Sequence, residues 1–263
     1  MRCRTDDGFN QAYGKAFARV YNERWAFFSE RLSPRLVDFF TNDPGMQTAP
    51  RELLDVCCGT GQLARRFLEQ GYVVVGIDLS PHMLEYAVRN NQKAVDEGRA
   101  RFLVGDASAF ELEEPVSFAV SLFDSLNHLP DVDALGSCFS CAWDSLRSPG
   151  MFVFDLNTPT GLERSNGINV QDSEEITIIN RGIYAPGAER AFTSITGFIR
   201  NADGTYERFS ERAYNTVFKG AEVLGLLRKA GFSECYVAAS SDLSEAVEEP
   251  DELDRAFFVC RKD

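Results

Sequence analysis

The chain has 263 residues, 44% of them hydrophobic and 12% aromatic, enough for one substantial folded domain with an elaboration. Its formal net charge of −13 removes the broad positive field that attracts phosphate backbones, so no nucleic-acid partner is expected. No run of about 18 apolar residues occurs, so no transmembrane helix and no membrane partner are expected.

The first residues, MRCRTDDGFNQ, have no apolar segment behind their basic residues and do not read as a secretory signal. Residues 10–32 repeat large side chains near every fourth position (Phe17, Tyr21, Trp25, Phe28, Leu32), which predicts an amphipathic helix. Pro34 is expected to interrupt it, with a short apolar turn over Leu36–Phe40 and a loop over 41–50. From 51 the pattern alternates. ELLDVCC is a short buried strand, and Thr60–Gln70 is a helix with Leu63, Ala64, Phe67 and Leu68 inward and Gly71 as its stop. YVVVGID is a second strand. Ser80-Pro81 caps and opens a second helix, with Leu84, Ala87, Val88 and Val95 inward. RFLVGD and VSFAVSLF are the third and fourth strands, 131–146 is a helix, and GMFVFDLN is the fifth strand. This rhythm predicts a parallel, doubly wound sheet.

The rhythm changes after 157. EEITIINRGIY, AFTSITGFIRN and TYERFSERAYNTVF alternate apolar and polar positions, with turn signals between them, and predict an antiparallel meander of about three strands. A helix over 222–230, stopped by Gly231, and the strands FSECYVAAS and RAFFVCRK complete a seven-stranded sheet. The stretch EAVEEPDELD has six carboxylates and no base, and reads as a solvated loop.

The seven cysteines are odd in number and lie mostly in apolar runs, as expected of reduced thiols in a cytoplasmic protein. Cys138 and Cys141 form a CxxC, but no second pair completes a four-ligand metal site. The stripe Leu135, Cys138, Phe139, Ala142, Leu146 places both cysteines on a buried helix face. No metal is expected.

Ligands of such sheets bind at the carboxyl ends of the strands, where strand order reverses. Asp55, Asp78 and Asp106 fall at or near the ends of the first three strands, and Gly59 and Gly61 turn the first strand into its helix. Gly59, Gly61, Ala64 and Asp78 also satisfy the dinucleotide fingerprint formally, so an NAD(P)-dependent oxidoreductase is the competing reading. Asp55 speaks against it: a pyrophosphate would meet an unwanted negative charge, whereas a cationic amino group would welcome it.

LLDVCCGTGQLARRF, VVGIDLSPHMLEYA, FLVGDASAF and AVSLFDSLNHL resemble the successive motifs of class I S-adenosylmethionine-dependent methyltransferases. The resemblance extends over most of 10–263, taking in the aromatic N-terminal helix, GMFVFDLNTP, the meander and LLRKAGF. It is strongest to the small-molecule branch with a β-insertion, such as the sugar N,N-dimethyltransferases. It implies a Rossmann-like S-adenosylmethionine-binding domain over 51–157 and 218–263, an N-terminal helical lid over 1–50, and an inserted β subdomain over 158–217 that covers the acceptor. It also implies roles. Asp55 lies beneath the methionine end, wrapped by backbone at Cys57, Gly59 and Gly61. Asp78 accepts both ribose hydroxyls, Leu79 and Met83 flank the adenine, and Asp106 takes its amino group beside the N–H of Ala107. Leu122 offers its carbonyl to the ammonium, and Tyr21 covers the methionine end. The position four residues earlier, often a second tyrosine in the family, is Phe17 here.

The expected reaction is methyl transfer to N or O of a small organic acceptor by in-line displacement, leaving S-adenosylhomocysteine. His128, one of two histidines, is the candidate catalytic or acceptor-positioning group. Tyr13, Trp25, Asn157 and Tyr214 are candidate acceptor contacts, with Arg181 or Arg212 added for an anionic acceptor. A cofactor-binding protein without catalysis is the remaining alternative, and the chain is expected to be a monomer or homodimer.

Overall fold

The computed structural model describes residues 13–263; the N-terminal MRCRTDDGFNQ, Cys3 and the expected helix start at residue 10 lie outside the described residues. The chain opens with helices α1 (Lys15–Arg24) and α2 (Ala26–Asn42). It then alternates β1 (Glu52–Val56), α3 (Gln62–Glu69), β2 (Val73–Asp78), α4 (Pro81–Asn90), α5 (Gln92–Asp96), β3 (Ala100–Val104), β4 (Val116–Ser121), α6 (Val132–Ser145) and β5 (Leu146–Asn157). After α7 (Pro159–Arg164) come β6 (Gly167–Asp172), β7 (Ile176–Ile183), β8 (Arg190–Arg200) and β9 (Tyr206–Thr216). Helix α8 (Gly220–Ala230) and strands β10 (Glu234–Ala239), β11 (Asp242–Ala246) and β12 (Arg255–Lys262) end the chain.

The larger sheet has eight strands in the order β11-β10-β12-β5-β4-β1-β2-β3. Its first five strands in sequence pair in parallel, and β12 runs antiparallel to both β5 and β10. Strand order reverses between β1 and β4, which places a crevice at their carboxyl ends. β4 is buried at every position, as its near-continuous apolar run requires of a central strand covered on both faces. On one face Leu135, Cys138 and Phe139 of α6 and Leu227 of α8 pack on Phe152, Phe154 and Phe258. On the other, Leu36 and Phe40 of α2 and Phe67 of α3 pack on Leu53, Phe118 and Val153.

β6 to β9 form a separate four-stranded antiparallel sheet in sequence order. Phe17 and Val20 of α1 bury against its Ile176, Ile178, Ile199 and Phe209.

Four expectations need correction. The N-terminal helix breaks at Trp25, and Pro34 lies inside α2. α1 belongs to the core of the small sheet and α2 to that of the large one, so the chain must turn between them. Leu32 and Leu36 are buried on either side of the solvent-facing Pro34, and this packing outweighs the helix-breaking tendency of proline. The small sheet has four strands, because GINVQD adds β6 at its edge; all six residues are exposed, so the segment has no core-facing alternation to read. The acidic stretch near 245 begins inside β11, an exposed edge strand that adds an eighth strand to the large sheet. Finally, Cys138 is fully buried but Cys141 only half-buried. Among the described residues no helix is long and apolar enough to cross a membrane.

Candidate functional site

Asp55 lies in β1 between Gly76 of β2 and Val120 of β4 and is 3% exposed. Its Oδ2 is buried without a hydrogen-bond partner. Burial, reinforced by the neighbouring Asp78 carboxylate, raises its pKa to about 8. Near neutral pH this shift favours the protonated carboxyl.

The chain leaves β1 through Cys57, Gly59 and Gly61, all with positive φ, and enters α3. Gly59 donates its N–H to Asp78 Oδ2 at 2.8 Å, and Ser80 donates its N–H to Asp78 Oδ1 at 2.8 Å. Each oxygen keeps a further lone pair, and burial raises the carboxyl's pKa against these two bonds. Gly61 packs between helices. Its N–H donates to Cys58 O, it is absent from the lining of the cavities described below, and a Cβ there would lie 3.0 Å from Ala87 Cα. Its smallness serves the approach of α3 to α4. Ser80 caps α4 as its sequence predicts, accepting from Met83 N–H while donating to Tyr13 O at 2.6 Å.

Tyr21, Cys57, Gly59, Asp78, Leu79, Met83, Asp106 and Ala107 come together around one cavity. Asp106 uses Oδ1 in a local turn, accepting from both Ser108 N–H and Ser108 Oγ at 2.8 Å. Asp55 and Leu122 line a smaller adjoining space with Trp25 and Thr60. Leu122 O accepts from Ser125 Oγ at 2.7 Å.

The sequence reading missed the turn that follows β4. Phe123 and Asp124 have φ of 64° and 53°; with Cys57 they are the non-glycine residues with positive φ among those described. Such backbone costs on the order of 1–3 kcal/mol per residue and gathers at functional sites. Phe123 lines both spaces. Asp124 Oδ1 accepts from Arg255 Nη2 at 2.7 Å, and Arg255 Nη1 also donates to the fully buried Asp155. The only local hint was an acid after an apolar strand; its partner is 131 residues away.

A third cavity of about 250 Å³ continues from the first beneath α1 and the inner face of the small sheet. Tyr13, Phe17, Tyr21 and Trp25 form its aromatic wall, with successive ring centroids 4.5 to 6.3 Å apart. Asn157, Asn180, Thr193 and Asn215 supply its polar side, and Asp124 its one charge. Asn180 Oδ1 is buried there without a partner. His128 lies between the first and third cavities. Its Nδ1 is 2.9 Å from Tyr214 O, a carbonyl that can only accept, so Nδ1 carries the proton and Nε2 the lone pair. Tyr13 Oη lies 3.5 Å from Nε2.

Tyr13, Trp25 and Asn157 thus line this cavity as expected, but Tyr214, Arg181 and Arg212 do not. Strand alternation is the reason. Ala213 and Asn215 of β9, and Asn180 and Gly182 of β7, face inward, so Arg212 and Tyr214 beside the first pair and Arg181 within the second point to the opposite face. Tyr214 instead stacks under the Arg190 guanidinium, 4.3 Å from its ring centroid.

Residues 53–150 match the family model described as "Methyltransferase domain". The matched segment lies within the Rossmann-like α/β fold that the sequence resemblance implied. Along its whole length the chain is similar to a putative methyltransferase of Geobacillus sp. (strain WCH70), 29% identical over 98% of this chain and 100% of that one. Among solved structures it is similar to an S-adenosylmethionine-dependent methyltransferase from Clostridium acetobutylicum, with TM-score 0.76, 20% identity, and coverage of 94% of this chain and 97% of that one. It is also similar to DesVI of Streptomyces venezuelae, with TM-score 0.73, 21% identity, and coverage of 94% and 99%.

Proposed function

We propose that this protein transfers a methyl group from S-adenosylmethionine to a nitrogen or oxygen of a small acceptor seated under α1 and the small sheet. The observation that carries the reading is Asp55: a buried carboxyl with an orphaned oxygen at the switch point, which a ligand ammonium would satisfy. The remaining lone pairs of Asp78 suit a vicinal diol. Leu79 and Met83 would flank an adenine, with Asp106 and the N–H of Ala107 at its polar edge. Backbone at Cys57 and Gly59, the carbonyl of Leu122 and the ring of Tyr21 would enclose the methionine end. When bound, this co-substrate supplies an electrophilic methyl group on a sulfonium.

The chain's own contribution is positioning and exclusion of water. The aromatic wall on and flanking α1, which forms the lid in this reading, closes the space from above. The small sheet, as its roof, presents Asn180, Thr193 and Asn215 to the acceptor. This lining offers hydrogen-bond acceptors and one carboxylate but no lysine or arginine, so it selects a neutral or cationic molecule rich in N–H and O–H groups. His128 lines both cavities, and its Nε2, 3.5 Å from Tyr13 Oη, would accept a proton from an acceptor that must lose one.

The test is incorporation of label from methyl-labelled S-adenosylmethionine into a panel of small amines, alcohols and carboxylates. Transfer to amines or alcohols is expected; transfer confined to carboxylates would contradict the reading.

A further inference from the structure

Arg255 is the first residue of β12, and its side chain lines none of the three cavities. Its guanidinium bridges two carboxylates, donating from Nη1 to Asp155 Oδ2 and from Nη2 to Asp124 Oδ1. Asp155 in turn accepts the Asp124 N–H at its Oδ1, 3.3 Å away. Asp124 is therefore held by both its side chain and its backbone.

Asp124 and Phe123 form the left-handed turn after β4. Two consecutive non-glycine residues in that region are unfavourable on their own, and they persist only where the surroundings over-determine them. The turn matters to the site because Phe123 lines all three cavities, with Leu122 and Ser125 on either side of it. We propose that Arg255 is a positioning residue of the cofactor site, fixing the Phe123–Asp124 turn through the Asp124 carboxylate. The planar fork of arginine reaches two carboxylates at once in a set geometry, which the compact ammonium of lysine does not.

The inference rests on the reading that these cavities bind S-adenosylmethionine. A role confined to neutralising buried Asp155 would leave affinity unchanged whenever the positive charge is kept. The experiment is calorimetric titration of S-adenosylhomocysteine into wild type, Arg255→Lys, Asp124→Gly and the double variant, each below its thermal midpoint. Arg255→Lys is expected to weaken binding about tenfold, the size of effect usual for such networks. In the Asp124→Gly background the same change is expected to act less than twofold, because glycine holds a left-handed conformation without restraint. Equal affinity of wild type and Arg255→Lys, or the same loss in both backgrounds, would overturn the inference. Should Arg255→Lys fail to fold, Asp124→Asn leaves the Arg255–Asp155 pair intact; it is expected to weaken binding, and unchanged affinity would overturn the inference. If wild type does not bind S-adenosylhomocysteine at all, it is the cofactor reading that falls, and this one with it.

Discussion

Asp55 shows how far one residue reports its own purpose. An acid flanked by Leu53, Leu54 and Val56 is legible as a ligand group because burying it without a partner is so unfavourable, and its Oδ2 has no partner. Its pKa of about 8 sets two pH dependences. Between the ordinary carboxylate range near 4 and pH 8 the native state holds a proton that the unfolded chain has released. The ligand-free protein should thus lose stability as pH rises across that window, and thermal midpoints of Asp55→Asn should lack this part of the slope. Binding a cation ionises the group, so S-adenosylhomocysteine binding should release up to one proton at pH 6–7. Its affinity should rise by up to about tenfold per pH unit toward pH 8, as calorimetry in buffers of different ionisation enthalpy would read. His128 was legible as a candidate, but its tautomer was not, because the carbonyl that fixes it belongs to Tyr214, 86 residues away. For an acceptor that must be deprotonated, His128→Ala should lower kcat by about 10²- to 10⁴-fold and leave S-adenosylhomocysteine affinity unchanged. A loss of affinity equal to the loss of kcat would argue against that role. Arg255 was not legible, since nothing in RAFFVCRK signals a partner in another strand's turn.

At the scale of elements, signals that act within a few residues read well. The Ser80 cap, the Gly71 and Gly231 stops and the inward faces of α3 and α6 all follow from local chemistry. Where two layers compete for one segment, local chemistry loses. The break at Trp25 and the continuation through Pro34 follow from which core each half of the N-terminal segment serves. Edge strands β6 and β11 escaped because one-sided pairing leaves β6 fully exposed and β11 with Leu243 as its single buried residue, too little to give an apolar alternation. Gly61, expected among the ligand glycines, also has a packing role between helices, which its sequence context does not signal. Gly61→Ala should therefore destabilise the fold by about 2 kcal/mol or more, through its φ of 70° and the contacts with Ala87 and Asn91. Denaturant midpoints measure this, and a change within ±0.5 kcal/mol would contradict the packing role.

Across the whole molecule, the two sheets divide the labour. The large sheet brings the ends of β1, β2 and β4 to one crevice, and the small sheet with α1 encloses a second cavity against it. Composition had already disfavoured a polyanionic partner, and the cavity proposed for the acceptor repeats that preference locally, with no lysine or arginine in its lining. The alternation of β7 and β9, seen only once the register is known, keeps Arg181 and Arg212 out of its lining. All of this depends on the cofactor site being what Asp55 and Asp78 make it. The most direct measurement is calorimetric titration of S-adenosylmethionine, S-adenosylhomocysteine and NAD into the purified protein. Micromolar binding of the first two, abolished by Asp55→Ala, with no binding of NAD, is the predicted result. Binding of NAD alone would contradict the account at its base.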